Sequence, residues 1–315
     1  MITGLLLHSV SYSGTWGQPT LPLEAFVDHA ADLGFDGVML MAKRPHLSVL
    51  DYSDDACRRL HDRIERRGLR KVVIAGYTNL TAGFRHQDIP QVEYQIAHMV
   101  RLAEMASLLG GNLIRVFTGY ESAEAPLGRQ WQCVVDALAE ASDRAAEYGV
   151  TIGVQNHHDL AVDSVSMREL ITDVGRSNCA AMFDAWSPAL HGEDPSVAGR
   201  LLAPVTVHTT VANYVKRERY RYTPGLVNYE RLTPRVQAVP IDEGFIDYAA
   251  FLGAMEEAGF NGTVAYEMCS PLRGGPQQRN LDQYATRFLE FMHGKAGTAR
   301  QRQEAARTGT GEGGC

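Results

Sequence analysis

The chain has 315 residues, of which 45% are hydrophobic and 21% are charged, and its formal net charge is −7 at pH 7. This length and apolar content suffice for one large enzyme domain with a substantial core. The acidic balance argues against an electrostatic surface for nucleic-acid phosphates or for an anionic membrane.

The sequence also bears on where the protein works. Residues 1–8 carry no charged segment and no signal-peptide cleavage site, and no apolar run reaches the roughly 18 residues of a membrane span. The five cysteines are an odd number without CxxC spacing, which argues against a disulfide framework and a zinc knuckle. We therefore expect a soluble cytoplasmic protein with neither a membrane partner nor a nucleic-acid partner.

Strand and helix signals alternate about eight times, the pattern of a single-domain (β/α)8 TIM barrel over residues 1–294. Gly110 and Gly111 can end a long helix, and Asp247 can cap a later one. The predicted strands are 2–8, 38–41, 71–75, 113–118, 149–155, 179–184, 204–208 and 262–267. The predicted helices are 23–33, 54–67, 91–109, 129–148, 248–258 and 281–292.

Two segments depart from this repeat. Residues 213–244 form a long insertion after strand seven, which can be a lid, a partner-binding surface or a solvated charged loop. Residues 295–315 are polar, lack an apolar stripe and are predicted to be a disordered tail. The basic and aromatic residues of the insertion are Lys216, Arg217, Arg219, Arg221, Tyr214, Tyr220, Tyr222 and Tyr229.

Each of the last four predicted strands closes on a side chain that can bind a metal ion. These side chains are Gln155, Asp184, His208 and Glu267. Because the carboxyl ends of parallel barrel strands meet at one face, the four groups are expected to converge. The sequence therefore predicts one divalent-metal site at that face.

A candidate base follows the first of these residues. Side chains alternate along a strand, so His157 shares the inward direction of Gln155 while Asn156 and His158 point the other way. Histidine titrates near working pH and could remove a proton from carbon beside a metal-polarised carbonyl. The alternatives are that His157 only binds a substrate hydroxyl, or that the two histidines merely pack at the strand end.

Five further residues are candidates for substrate binding at the mouth of the barrel, and each has a structural alternative. His8 closes strand one, Lys43 and His46 follow strand two, and Trp186 follows Asp184 and could stack on a ring. Arg273 follows Glu267 and could hold a substrate oxygen or phosphate. Hydrogen-bonded, ion-paired or core roles are the competing interpretations for all five.

Five stretches carry a resemblance to a known family. They are 34–38 (Gly-Phe-Asp-Gly-Val), 41–46 (Met-Ala-Lys-Arg-Pro-His), 115–119 (Arg-Val-Phe-Thr-Gly), 155–158 (Gln-Asn-His-His) and 266–275. In this order they resemble the sugar phosphate isomerase/epimerase family, the xylose isomerase-like TIM barrels, over residues 1–294. In that family a glutamate after strand five, an aspartate after strand six, a histidine after strand seven and a glutamate after strand eight hold Mn, Mg, Co or Zn. Asp184, His208 and Glu267 match these positions, and the resemblance favours Mn.

Gln155 departs from the glutamate of the family. Its amide oxygen can still bind a hard cation, but it carries no charge and cannot exchange a proton near neutral pH. Epimerisation by two paired glutamates is therefore not expected. The lost carboxylate leaves the site more positive, which should stabilise an enediolate or phenolate-like oxyanion and weaken metal binding.

A lone base beside a metal favours elimination among the activities of the family, which include inosose dehydratases and the larger subunits of C-glycoside deglycosidases. The 155–158 stretch, the aromatic insertion and Trp186 favour the latter. The resemblance then implies a lyase that releases an aglycone from a 3-keto C-glycoside, with a small β-sandwich partner subunit. The resemblance and the acidic surface also suggest an oligomer.

Three alternatives remain open. One is a ketose or sugar isomerase or epimerase, and another is an inosose dehydratase-like enzyme. A third is a non-catalytic barrel kept as a scaffold. AP endonucleases share the barrel, but the additional ligands of their trinuclear zinc cluster and their basic DNA face are not evident here. No nicotinamide fingerprint is visible, so a keto group must come with the substrate.

Overall fold

The computed structural model describes the backbone of residues 1–308 and the side chains of residues 1–294. Eight parallel strands pair in the order β6-β5-β4-β3-β2-β1-β10-β7, and β6 meets β7 through the bridge between Ala181 and Thr206. The predicted (β/α)8 barrel is confirmed. Its strands are β1 Ile2–His8, β2 Gly37–Met41, β3 Lys71–Ala75, β4 Leu113–Val116, β5 Thr151–Gln155, β6 Cys179–Met182, β7 His208–Val211 and β10 Gly262–Tyr266.

Helices surround the barrel and cover its outer face. Asp247 accepts a hydrogen bond from the backbone N–H of Ala250 and caps α8, as predicted. The helices are α1 Leu23–Asp32, α2 Asp54–Arg66, α3 Gln91–Leu108, α4 Leu127–Ala145, α5 Ser164–Val174, α6 Trp186–His191, α7 Pro195–Leu202, α8 Tyr248–Glu257 and α9 Gln278–Thr308.

Strand side chains divide between two apolar cores because they alternate between the faces of the sheet. One set packs outward against the helices. The other set fills the barrel interior and supports polar groups nearer the strand ends. These interior residues are Leu6, Met39, Val73, Ala75, Leu113, Met182 and Ala265.

The seventh strand differs from its prediction over 204–208. β7 begins at His208 and runs to Val211, while Ala203–Val205 form a short 3-10 turn. Pro204 explains the difference, because it lacks a backbone N–H and suits the first turn of a helix. His208 pairs in register with Thr263, so it lies deeper in the barrel than Glu267.

The insertion after β7 is an ordered antiparallel hairpin rather than an irregular loop. It comprises β8 Asn213–Thr223 and β9 Asn228–Val239, and nearly all of its residues from 216 to 235 are exposed. The prediction of a solvated loop is therefore wrong in its secondary structure. β-branched and aromatic residues in both strands favour this extended pairing.

The last helix extends beyond its predicted end and into the segment predicted to be a disordered tail. α9 continues to Thr308, past the predicted helix end at 292, because residues 295–308 are rich in the helix formers Ala, Arg, Gln and Glu. The rest of the predicted disordered tail, 309–315, lies outside the described residues. Within the described part of the chain, we find no helix with the length and apolar character needed to cross a membrane.

Candidate active site at the carboxyl ends of the strands

A cavity of about 450 Å³ opens where strands β5 to β7 and β10 end. Cavities of this size suit ligands on the scale of a sugar or a small glycoside. Three of the four predicted metal-binding residues line it, together with the catalytic candidate His157 and several aromatic side chains. The lining includes Trp16, Gln155, His157, Asp184, Trp186, Thr210, Tyr214, Arg235, Glu267 and Cys269.

Gln155 and Asp184 form the buried floor on the β5–β6 side. The Gln155 amide Nε2 donates to Asp184 Oδ2 at 2.6 Å and to Thr210 Oγ1 at 3.1 Å. Because an ionised carboxylate can only accept, the amide nitrogen must face Asp184, which assigns the other side of the amide to oxygen. Gln155 Oε1 is buried and has no hydrogen-bond partner among the described residues.

Asp184 is fixed by two further hydrogen bonds besides the one from Gln155. Its N–H donates to Asn156 Oδ1 at 2.8 Å, and its Oδ1 accepts from the N–H of Trp186 at 3.0 Å. Burial raises the pKa of Asp184 to about 6, with a smaller contribution from the charge of Glu267, while the hydrogen bond from Gln155 opposes the rise. The carboxylate is therefore mostly ionised at pH 7 and becomes protonated as the pH falls through about 6.

His208 presents one free ring nitrogen to the barrel interior. Its Nδ1 lies 2.6 Å from Thr263 Oγ1, and its Nε2 is buried without a hydrogen-bond partner among the described residues. Burial lowers the pKa of His208 to about 3, so the ring is neutral at physiological pH. With Nδ1–H donating to the threonine, the Nε2 lone pair is the group left for a ligand.

Glu267 is the ionised carboxylate of the cavity. Its Oε1 accepts from Arg115 Nη1 at 3.1 Å and lies 3.4 Å from His8 Nε2. Burial opposes ionisation, but attraction to His8, to the permanently charged Arg115 and to His157 lowers the pKa of Glu267 to about 2. His8 Nδ1 accepts from the N–H of Val10 at 3.1 Å, so its Nε2 carries the proton that faces Glu267.

The four predicted metal-binding side chains have a chemistry that fits a divalent cation. In the described residues no three His, Cys, Asp or Glu side chains are grouped closely enough to form a preassembled metal site. Even so, Gln155 Oε1 and His208 Nε2 are orphaned buried acceptors, and Asp184 and Glu267 supply two carboxylates nearby. One nitrogen and three oxygen donors suit Mn, Mg, Co or Zn, so the residues fit such a cation.

His157 lines the cavity as predicted but in a different protonation arrangement. Its Nδ1 accepts a hydrogen bond from the N–H of His158 at 2.8 Å. Burial lowers the pKa of His157, with a further lowering by Arg115. The neutral ring therefore carries its proton on Nε2, which makes this nitrogen a donor rather than the proton acceptor that the sequence favoured.

Aromatic rings form the apolar wall of the cavity. Trp186 stacks on His157 with ring centroids 5.9 Å apart and meets Tyr214 edge-on at 6.3 Å. Its Nε1 is buried without a hydrogen-bond partner among the described residues. Trp186 thus lies where the sequence placed a ring-stacking residue, and Trp16 from the loop after β1 adds a second aromatic lining group.

Four of the five predicted substrate-binding residues are not among the residues that line this cavity. One of them, His8, nevertheless contacts Glu267. His46 is a structural residue, because its Nδ1 bonds to Ser9 Oγ and its Nε2 to the carbonyl of Leu21, each at 3.0 Å. Arg273 lies outside the lining, and its guanidinium pairs with Glu243. Lys43 also lies outside the lining, with its Nζ 3.9 Å from the ring centroid of Tyr77. The hydrogen-bonded and ion-paired alternatives describe the contacts of His46 and Arg273, and a substrate-binding role for either stays a prediction.

The sequence analysis missed Arg115 as a site residue. It is 1% exposed, contacts Glu267, and lies against the rings of Tyr77 and Phe117 at 4.8 and 4.6 Å from their centroids. The signal was present, because Arg115 is the one charged residue of an apolar strand and shares the inward direction of Leu113. The permanent positive charge of Arg115 helps to lower the pKa of Glu267.

Cys269 lines the cavity and was also not predicted as a site residue. Its Sγ lies 3.5 Å from Glu267 Oε1, and burial together with the charge of Glu267 raises its pKa well above the ordinary range. The group is therefore a thiol that donates weakly to the carboxylate. A buried thiol with a raised pKa is a poor nucleophile.

Comparisons with known proteins agree with this architecture. Residues 27–290 match a family model described as xylose isomerase-like TIM barrel. An L-ribulose 3-epimerase structure is similar, with a TM-score of 0.72 and 20% identity over 97% of this chain and 98% of that one. A D-psicose 3-epimerase crystallised with D-fructose has a TM-score of 0.69 and 17% identity over 92% and 98% of the two chains.

A structure with a different assigned chemistry is equally similar. It is a probable 3-DHS dehydratase involved in petrobactin synthesis from Bacillus anthracis, with a TM-score of 0.68 and 18% identity over 92% of this chain and 99% of that one. At such identities the likeness shows the shared fold. No curated protein matches the chain by sequence.

Proposed function

Because the chain belongs to the xylose isomerase-like TIM barrel family, we propose that it is an enzyme that moves a proton at a carbon next to the carbonyl of a sugar or sugar-like substrate, as a sugar isomerase or epimerase. The observation that carries the proposal is the cavity that holds Gln155, Asp184, Glu267 and His157 against an aromatic wall. Polar groups confined to one side of an apolar cavity suit a polyhydroxylated ligand with one reacting carbonyl.

The sequence favours a lyase, but the similar structures support the isomerase or epimerase alternative more strongly. They include two 3-epimerases of sugars and one probable dehydratase. Epimerisation and elimination share the first step, which is removal of a proton next to a carbonyl. They differ in whether the carbanion is reprotonated or expels a leaving group.

A divalent cation, with Mn as the first candidate, would be held by Gln155, Asp184, His208 and Glu267. Such a cation would act as a Lewis acid on the substrate oxygens. The orphaned atoms Gln155 Oε1 and His208 Nε2 support this assignment. Two carboxylates, one amide and one imidazole would leave the site one charge more positive than three carboxylates and one imidazole would, which favours negative charge on a substrate oxygen.

The residues around the cavity suggest how protons move. Glu267 stays ionised across the physiological range and is the proposed acceptor of the substrate proton. Since a carboxylate of low pKa is a weak base, most of the driving force must come from polarisation of the substrate carbonyl. His157 Nε2–H can donate to that carbonyl oxygen, as a neutral imidazole electrophile does in other barrels.

Elimination is the second candidate, and Gln155 favours it. An amide at this position cannot return a proton to the opposite face of the substrate, so a departing group would complete the reaction more readily than reprotonation. In that case the substrate is a 3-keto glycoside that releases its aglycone, and a small β-sandwich partner subunit can complete the site. The aromatic wall around Trp186 would then hold the aglycone.

Incubation in deuterium oxide tests both candidates. The full chain loaded with Mn is mixed with D-fructose or another 2-keto sugar, and separately with a 3-keto glycoside, and the products are followed by NMR and chromatography. An epimerase yields the epimer with deuterium at the reacting carbon, whereas a lyase releases aglycone. If neither substrate class exchanges a proton or reacts, the scaffold interpretation replaces the proposal.

The metal assignment makes a separate prediction at Thr263. Thr263→Val removes the oxygen that orients His208, and we expect metal affinity to fall about 10- to 100-fold. Valine has the shape of threonine, so the fold should be retained. Affinity is measured by titration calorimetry with Mn, and circular dichroism checks the fold.

Thr209→Val is the matched control for this experiment. Thr209 in β7 is also buried, but its hydroxyl lies near the carbonyl of Thr210 rather than near His208. Metal affinity should be unchanged in this variant. Equal affinity in the Thr263 variant and the control would show that His208 does not bind the metal through the proposed arrangement.

A further inference from the structure

The hairpin after β7 projects from the rim of the barrel. Residues 216–235, here termed the arm, are nearly all exposed. Its first strand extends about 26 Å at about 3.3 Å per residue from Lys216 to Thr223. A two-stranded ribbon of this kind is marginally stable in water unless another surface covers it. The arm is therefore expected to lie against a partner.

One face of the arm is crowded with arginines. Arg217 lies directly opposite Arg235 across the ribbon, and Arg219 lies opposite Leu232. Arg221 pairs with Glu230 at 3.4 Å, but Arg219 and Arg235 have no carboxylate partner within the described part of the chain. Like charges directly opposite each other are destabilising. An anionic partner surface would relieve this repulsion.

The rest of the arm offers apolar surface. Tyr222 and Tyr229 face each other with ring centroids 5.2 Å apart, and Tyr220 is exposed on the same face. At the tip, Leu226 and Val227 are 76% and 80% exposed. Because side chains alternate along a strand, these tyrosines lie on the opposite face of the ribbon from Arg217, Arg219 and Arg221. The arginine face and the apolar tip are therefore the parts of the arm that can meet one partner surface.

The same chain carries a complementary surface. The rim formed by residues 85–90 and 120–127, after β3 and β4, has exposed Asp88, Glu121 and Glu124 against a single arginine. Ile89, Tyr120 and Leu127 are exposed beside them. The six cations and two carboxylates of the arm give a charge of +4, and the three carboxylates and one arginine of the rim give −2. The arginine face and the apolar tip of the arm therefore match the rim in charge and in apolar character.

Barrel topology determines which copy can supply that rim. β7 and β3 lie four strands apart in a barrel of eight, so the arm and the rim of one molecule are on opposite sides of the mouth. A twofold axis perpendicular to the barrel axis brings the arm of each copy over the rim of the other when the two mouths face each other. Such a contact is isologous and closed.

We infer that the protein forms a face-to-face homodimer in which the arm of each copy docks on the rim after β3 and β4 of its partner. Tyr214, Arg235 and Val236 lie at the base of the arm and line the cavity. Docking therefore braces one wall of the cavity and narrows its access to solvent. The inference does not depend on the reaction proposed above.

The test measures the mass of the full chain in solution by sedimentation equilibrium, without substrate or added metal. The wild-type chain should be a dimer that weakens as salt increases. The double variant Arg217→Glu with Arg219→Glu should be monomeric, with the dissociation constant raised about 100-fold. Both positions are exposed, so the fold is expected to remain intact, which circular dichroism checks.

A charge swap distinguishes the docking surface from general repulsion. Adding Glu121→Lys and Glu124→Lys to the double variant should restore dimerisation, since the signs of both surfaces are then exchanged. Arg58→Glu with Arg59→Glu, on exposed α2, is the control and should leave the dimer unchanged. A monomeric wild type, which would point to a lid or a different partner, overturns the inference. The inference is also overturned if the Arg217→Glu, Arg219→Glu variant remains a dimer, or if adding Glu121→Lys and Glu124→Lys does not restore dimerisation.

Discussion

Replacing Glu267 with glutamine is expected to lower the rate of proton exchange at the substrate carbon about 10²- to 10⁴-fold. The amide keeps the shape of the side chain and can still accept from Arg115 Nη1, which lies 3.1 Å from the native Oε1. It cannot take up a proton near neutral pH. The rate is measured as deuterium incorporation by NMR, with bound metal determined on the same sample by mass spectrometry.

The metal determination separates two ways in which this variant could lose activity. If the variant still binds metal but no longer exchanges the substrate proton, Glu267 is the base. If the variant no longer binds metal, Glu267 serves mainly as a metal ligand. Glu243→Gln is the matched control, because Glu243 pairs with Arg273 and Arg287 outside the cavity. Exchange within a few-fold of wild type in the Glu267 variant would remove Glu267 from the proposed chemistry.

The barrel could be predicted from the sequence because its pattern is local and repeated. The predictions for β1 and β3 match the structure end to end, and those for α1, α2 and α3 differ from it by a single residue at the C-terminal end. Apolar strand runs, amphipathic helices and glycine stops each carry a physical reason that needs no tertiary context. Family resemblance then identified which strand ends face the cavity.

The arrangement inside the site depends on contacts that sequence does not encode locally. Arg115 was visible as a charge in an apolar strand, but its pairing with Glu267 joins residues 152 positions apart. The tautomer of His157 follows from one hydrogen bond to the next backbone N–H. His46 looked like a mouth residue until both of its ring nitrogens proved to be engaged in structural hydrogen bonds.

The second large effect is expected on the thermal stability of a Gln155 variant. Gln155→Glu replaces an N–H donor by a carboxylate oxygen where Gln155 Nε2 now lies 2.6 Å from Asp184 Oδ2. Two buried carboxylates at that distance cannot both ionise, which should cost about 2 kcal/mol without metal. The melting temperature in chelator should then fall by about 3 °C for a chain of this length. Scanning calorimetry with EDTA and with Mn measures both states.

Bound metal should offset this loss of stability, because a cation between the two carboxylates attracts both of them. The rise in melting temperature on adding Mn is therefore expected to be larger in Gln155→Glu than in the wild type. Gln132→Glu is the matched control, since Gln132 Nε2 donates to Asp136 Oδ1 at 2.8 Å on exposed α4, where solvent screens the new charge. A Gln155 variant as stable as wild type in chelator and unresponsive to Mn would mean that the four strand-end residues hold no metal, and the scaffold interpretation would then account for the barrel better than catalysis does.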